Sequence, residues 1–194
     1  MEGRQPFKLA VLISGEGSNL QAIIDAIESG VLDARIAVVI SNKADANGLN
    51  RAMQAGITTA VVAHLKGQSR EEYDQRLLHT LAAFAPDLIV LAGFMRILSA
   101  GFVHSFSSKI INIHPSLLPE YKGLNTHQRV LDAGETYHGA TVHLVTEELD
   151  DGEIIVQSRI KISTDDDAET LQQRVHIEEH IIYPRAIQWL SAKR

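Results

Sequence analysis

The run Asn112-Ile113-His114-Pro115 sets an amide and an imidazole two residues apart. At strand period the two project to the same side while Ile113 points into a core. Pro115 cannot continue a ladder, so His114 falls at the C-terminal end of its strand, the edge at which open α/β sheets bind ligands. Imidazole takes and gives protons near neutrality because its ordinary pKa is ~6.5. The amide can donate to a developing oxyanion. Such a pair needs a third group to hold the ring. Glu147-Glu148-Leu149-Asp150-Asp151-Gly152 offers carboxylates. Asp150 can orient the imidazole and stabilise its cation, with Glu147, Glu148 and Asp151 as competitors; taken alone, the segment is a solvated acidic turn.

Three other segments carry chemistry. Gly15-Glu16-Gly17-Ser18-Asn19 follows an apolar run and opens a helical one, where free N–H groups and the positive helix end favour an anion. A dinucleotide fingerprint requires a third glycine where Leu20 stands and an acidic end to the second strand, which is not clearly present. A monophosphate is the better fit, the plain alternative being a tight turn that only needs glycine. Gly93-Phe94-Met95-Arg96-Ile97-Leu98 offers an apolar, partly aromatic patch with one cation. It suits a flat heterocycle with a carboxylated tail, or is simply strand-end packing beside a solvated arginine. His176-Ile177-Glu178-Glu179-His180 spells the H-x-x-E-H pattern of a zinc peptidase class. No third ligand is evident nearby, so no metal is expected and Glu179 is read as a surface group that binds an amine.

Elements that could position these groups follow from the rhythm of the chain. Nearly continuous apolar runs at Lys8–Ser14, Arg35–Ser41, Thr59–His64 and Leu88–Gly93 alternate with segments of helical period starting near Ser18, Asn47 and Ser69, the pattern of a parallel sheet covered on both faces. Lys109–Ile113 is a further strand, Leu117–Asn125 a loop and Thr126–Ala133 a helix. His138–Thr146 and Glu153–Ile162, joined by the short acidic turn, predict an antiparallel pair. Ala168–Ala192 closes the chain as a helix that Pro184 is expected to kink or split.

A chain of 194 residues suits one core. With 24 acidic against 18 basic residues and a net charge of −6, it repels a phosphate backbone, so nucleic acid is not an expected partner. The absence of cysteine excludes disulfides and thiolate metal sites and fits a reducing cytoplasm. Met1 to Lys8 carries two basic residues, but the apolar run behind it is too short for a signal sequence, and no run approaches the ~20 residues of a membrane helix.

Across nearly its whole length the chain resembles the folate-dependent glycinamide ribonucleotide formyltransferases. Ile13-Ser14-Gly15-Glu16-Gly17-Ser18-Asn19-Leu20, Ser41-Asn42-Lys43, Ala92 through Leu98, Asn112-Ile113-His114-Pro115-Ser116-Leu117-Leu118-Pro119 and Glu179-His180-Ile181-Ile182-Tyr183-Pro184 carry the resemblance. It implies a single domain over residues 1–194 with the formyltransferase fold, a mainly parallel Rossmann-like sheet flanked by helices with an antiparallel extension in the C-terminal half. About residues 1–100 would form the phosphate-binding half, and about 101–194 the catalytic and folate-binding half. It further implies transfer of a formyl group from 10-formyltetrahydrofolate to glycinamide ribonucleotide. Asn112, His114 and Asp150 would be catalytic. Gly17, Ser18, Asn19 and Arg70 would bind the phosphate, Pro115 would lie along the ribose, and Glu179 would hold the amine end. Met95, Arg96, Ile97 and Leu98, with Asn112 and the backbone of 138–152, would receive the folate.

Glu16 and Asp151 depart from residues common among relatives, and Glu16 sets a negative charge beside the phosphate loop, worth about 1 kcal/mol of repulsion at surface dielectric. Formyltetrahydrofolate hydrolases carry a second histidine where Pro115 stands. Methionyl-tRNA formyltransferases are longer and must bind tRNA, which the net charge disfavours. A nucleotide-sensing module would need the phosphate loop but not the Asn-His-Asp set. The expected protein is cytoplasmic, a monomer or weak homodimer, without metal, nucleic acid or membrane as partners.

Overall fold

Residues 6–193 are described in the structure, a computed structural model; Met1–Gln5 of the N-terminal segment and Arg194 lie outside them. Strands β1 (Phe7–Ile13), β2 (Ala34–Ser41), β3 (Thr59–Val61), β4 (Leu88–Leu91), β5 (Ile110–His114), β6 (Tyr137–Leu144) and β7 (Ile154–Lys161) form one sheet. Their spatial order is β3-β2-β1-β4-β5-β6-β7. Pairing is parallel from β3 to β5 and antiparallel for β5 with β6 and β6 with β7. Helices α1 (Ser18–Glu28), α2 (Asn47–Gln54), α3 (Arg70–Ala82), α4 (Ala100–Ser105), α5 (Thr126–Asp132) and α6 (Ala168–Ala192) connect and cover it. The expected α/β sheet with an antiparallel extension is therefore present.

Alternation along β1 divides the core in two. Leu9, Val11 and Ile13 pack with Leu20 and Ile23 of α1 and Leu171, Val175 and Ile187 of α6. Ala10 and Leu12 pack on the other face with Tyr73, Leu77 and Leu81 of α3 and Phe102 of α4. In β5, Ile111 and Ile113 join the first cluster and Ile110 the second. Asn112 and His114 therefore share the face of Ile110.

Several boundaries differ from the sequence expectation for identifiable reasons. β3 ends at Val61 rather than His64 because its ladder partner β2 ends at Ser41, opposite Val61. β4 stops at Leu91, and the chain turns at Gly93 with φ of 75°. α4 has only six residues, too few to show periodicity, and is capped by Ser99, whose hydroxyl accepts from Phe102 N–H. Pro184 does not divide α6: Ile182, Tyr183, Ala186 and Ile187 are buried on both sides of it and hold the helix to the sheet. The buried Tyr183 hydroxyl donates to Leu91 O (2.9 Å) and lies 3.3 Å from Ile111 O, tying α6 to β4 and β5 just before Asn112.

The acidic connection between β6 and β7 folds back so tightly that a Cβ on Gly152 would sit 1.7 Å from Leu144 O. Gly152→Ala should lower unfolding free energy in urea by roughly 2–4 kcal/mol. Gly101→Ala, in α4 with nothing within 4 Å of the new methyl, should be neutral or stabilise by up to about 1 kcal/mol. Equal effects at the two positions would remove this close approach as a constraint.

His127 of α5 and His138 of β6 meet Nδ1 to Nε2 at 3.0 Å. Burial is the main cause that lowers both from 6.5 to about 4, with the neighbouring histidines His176 and His114 acting on His127, and His127 and His114 on His138. The unfolded chain thus binds more protons than the fold between those values, so stability is complete above about 6.5 and falls as pH drops towards 4. His138→Gln should flatten the fall of the urea midpoint over this range; an unchanged slope would assign the acid sensitivity to other groups.

Candidate active site

Sheet order reverses at β1, from which the chain first builds towards β3 and then towards β7. The crevice beyond the C-terminal ends of β1 and β4 is thus a topological switch point. Around it stand the loop after β1, the Gly93–Leu98 segment after β4 and the end of β5.

At the end of β5, His114 and Asp150 form an ion-pair contact, Nδ1 to Oδ2 at 3.3 Å, with both side chains 8% exposed. The other ring nitrogen, Nε2, lies 2.9 Å from Tyr121 O. A carbonyl can only accept, so Nε2 carries the proton there; an imidazolium facing the Asp150 carboxylate satisfies both contacts. Asp150 Oδ2 also accepts from Gly123 N–H at 2.9 Å. Asp150 adopts φ of 49° and Tyr121 φ of 54°, a left-handed conformation that costs non-glycine residues about 1–3 kcal/mol and collects at functional sites. Of the four carboxylates in the acidic turn, Asp150 is the one that reaches the histidine. Asp151 is half exposed and pairs with Lys122, and Glu147 pairs with His104 at 2.7 Å.

His143 of β6, opposite Asn112 in the ladder, was not singled out from sequence. Its Nδ1 donates to Leu144 O at 2.8 Å, which leaves Nε2 as an acceptor 3.3 Å from Asn112 Nδ2. Burial is the main cause that lowers the pKa of this ring, which favours its neutral form. One N–H of Asn112 is thereby committed to His143, and the second remains for a ligand. His143 Nε2 also lies 3.7 Å from Asp150 Oδ1. Only the strand pairing brings His143 to this place, and alternation within β6 carries no sign of it.

Gly17 caps α1 at φ of 75° without a side-chain cap bond, so the first N–H groups of α1 stand open to an anion. The loop lies against α2: a Cβ on Gly17 would meet Gly48 Cα at 2.6 Å, and Gly48 N–H donates to Gly15 O at 3.0 Å. Glu16 is held by Arg51 and Asn47, and the Arg51 bond leads in lowering its pKa. Its charge is thus neutralised beside the loop. Asn19 Nδ2 donates to Glu179 Oε2 at 2.8 Å, while Asn19 Oδ1 is buried without a partner among the described residues.

Glu179 is 3% exposed, not the surface group expected, because α6 packs along α1 and turns it inward; burial raises its carboxyl pKa. His176 and His180, one turn apart on the same helix, stack on each other with ring centroids 6.2 Å apart. Arg70 opens α3 on the sheet face opposite α1 and is exposed, one turn before Tyr73.

Met95 and Ile97 are 67% and 54% exposed, whereas Phe94 and Leu98 are buried in the second core cluster. Leu98 therefore anchors the segment. Arg96 lies over the Tyr73 ring at 3.9 Å, with Nη2 3.4 Å from His64 Nδ1. Burial pushes the Tyr73 hydroxyl up to about 12. Pro115 follows His114 directly and is partly exposed.

The chain that carries this site is similar to known proteins in both sequence and backbone. A sequence model of the formyl transferase family matches residues 7–187. The chain is 49% identical over 186 residues to the phosphoribosylglycinamide formyltransferase of Escherichia coli (strain K12), covering 96% of this chain and 88% of that protein. The solved structure of the phosphoribosylglycinamide formyltransferase from Coxiella burnetii superposes with a TM-score of 0.94 at 54% identity, covering 98% of this chain and 89% of that one. Glycinamide ribonucleotide transformylase 1 from Symbiobacterium toebii gives 0.96 at 40% identity, covering 100% and 92%. Sequence and backbone agree over almost the entire length, and the chain belongs to the formyl transferase family.

Proposed function

We propose that this protein transfers the formyl group of 10-formyltetrahydrofolate to the amine of glycinamide ribonucleotide, giving formylglycinamide ribonucleotide and tetrahydrofolate in de novo purine biosynthesis. The observation that carries the proposal is the convergence of Asn112, His114 and Asp150 at the end of β5, on the same C-terminal edge of the sheet as the uncapped start of α1.

The phosphate of the acceptor is assigned to Gly17, Ser18 and Asn19, with Arg70 contributing charge from the edge of α3. Its ribose lies along Pro115, and its amine end meets Glu179. A bound amine would relieve a carboxylate whose burial disfavours ionisation. The donor rests on Met95 and Ile97, with Arg96 and the backbone of Leu98, and its pterin meets the backbone of 138–152.

In the reaction the neutral amine attacks the formyl carbon, forming a C–N bond and a tetrahedral oxyanion. The free N–H of Asn112 donates to that oxygen. The Nε2–H of His114 turns from the Tyr121 carbonyl to donate a hydrogen bond to the same oxygen, and Asp150 stabilises the imidazolium. The bond from carbon to the folate nitrogen then breaks as the proton lost by the attacking amine reaches that nitrogen. No metal is required, and the protein acts in the cytoplasm on small molecules as a monomer or weak homodimer.

Mixing the purified protein with 10-formyltetrahydrofolate should consume the donor only when glycinamide ribonucleotide is added. Consumption without the amine would make it a hydrolase, and no consumption in either case a binding module. Asn112→Ala should lower kcat by roughly 10²–10³. A loss under threefold would remove Asn112 from the oxyanion site.

A further inference from the structure

Backbone hydrogen bonding thins out along the segment after β4. Ala92 N–H donates to Leu12 O at 2.9 Å and Ser99 N–H to Asp74 Oδ2 at 2.6 Å. Between them, among the described residues, the backbone makes a single hydrogen bond: Met95 N–H donates to Ser14 Oγ at 2.7 Å. Ser14 is 4% exposed and lies immediately after β1, 81 residues away in sequence and directly before the Gly15–Gly17 turn.

The direction of this small network is fixed by chemistry. A backbone N–H can only donate, so the Ser14 oxygen accepts from Met95 and its own proton must go elsewhere. It goes to Asn42 Oδ1, at 2.6 Å. Asn42 follows the last residue of β2, so one hydroxyl joins the ends of three adjacent strands, β2, β1 and β4. It lies between the loop assigned to the phosphate and the segment assigned to the folate. Phe94 and Leu98 anchor that segment through apolar packing, which is non-directional. Arg96 is held through its side chain, over Tyr73 and beside His64; the backbone at Met95 is held by the Ser14 bond.

We infer that Ser14 is a positioning residue that holds the donor-binding segment in register with the acceptor loop. This rests on the formyl-transfer reading above. Ser14 touches neither reacting atom in this role; it acts through Met95, and Asn42 orients its proton. Loss of the hydroxyl frees Met95 N–H and lets the segment shift against the acceptor loop.

The test is steady-state kinetics on Ser14→Ala and Ser14→Thr, with acceptor binding measured separately by calorimetry. Ser14→Ala should raise KM for 10-formyltetrahydrofolate by about three- to tenfold, the effect of one lost hydrogen bond. Acceptor affinity should stay within twofold, and Ser14→Thr, which keeps the hydroxyl, should retain a donor KM within threefold of wild type. Asn42→Ala, which alters only the acceptor of the hydroxyl proton, should raise donor KM in the same direction and serves if Ser14→Ala fails to fold. An unchanged donor KM in a folded Ser14→Ala or Asn42→Ala, or an equal rise for both substrates, overturns the inference. Inactivity of the wild-type protein would overturn the formyl-transfer reading instead, so the two failures are distinguishable.

Discussion

One buried carboxylate organises this site. Asp150 contacts His114 and accepts from Gly123 N–H while its second oxygen faces His143. Removing one partner of a buried ion pair costs about 3–5 kcal/mol, because the remaining charge is left uncompensated. The fold therefore has to deliver three segments to the same point. β5 supplies the histidine, the loop after it supplies Tyr121 O and Gly123 N–H, and the turn between β6 and β7 supplies the aspartate in a left-handed conformation. The close approach of Gly152 to Leu144 O places that turn.

The antiparallel end of the sheet serves this arrangement. Antiparallel pairing runs β6 back alongside β5, with Thr141 opposite His114 and His143 opposite Asn112. Thr141 is wholly buried and donates to Ser116 O at 2.6 Å while accepting from Leu118 N–H at 3.1 Å. It thus holds the start of the loop that contacts the histidine. The parallel half, with its uncapped α1 and neutralised Glu16, presents an anion site at the same edge.

Most of the sheet was legible in the sequence because strands buried on both faces read as apolar runs, and the Asn-x-His spacing together with Pro115 located the end of β5. What the sequence left open was partner choice across the fold. Four carboxylates in one turn are equivalent by spacing, and the resemblance, not the residues themselves, selected Asp150. His143 and Ser14 gave no local sign, since each acquires its role only through a neighbouring strand. Glu179 was misplaced on the surface because a helix with apolar residues on several sides, such as Ile177, Ile181 and Ile182, does not reveal which face the sheet and α1 will cover. Pro184 looked disruptive because its own neighbourhood, not its burial, is what the sequence shows.

The most direct test of a single Asp150–His114 unit is the kcat of Asp150→Asn, His114→Asn and the double variant under the same saturating conditions. If the carboxylate acts through the ring, the losses overlap and the double variant falls within about threefold of the slower single variant. Losses that multiply would show that the two side chains contribute independently, contradicting the pair as the centre of the site.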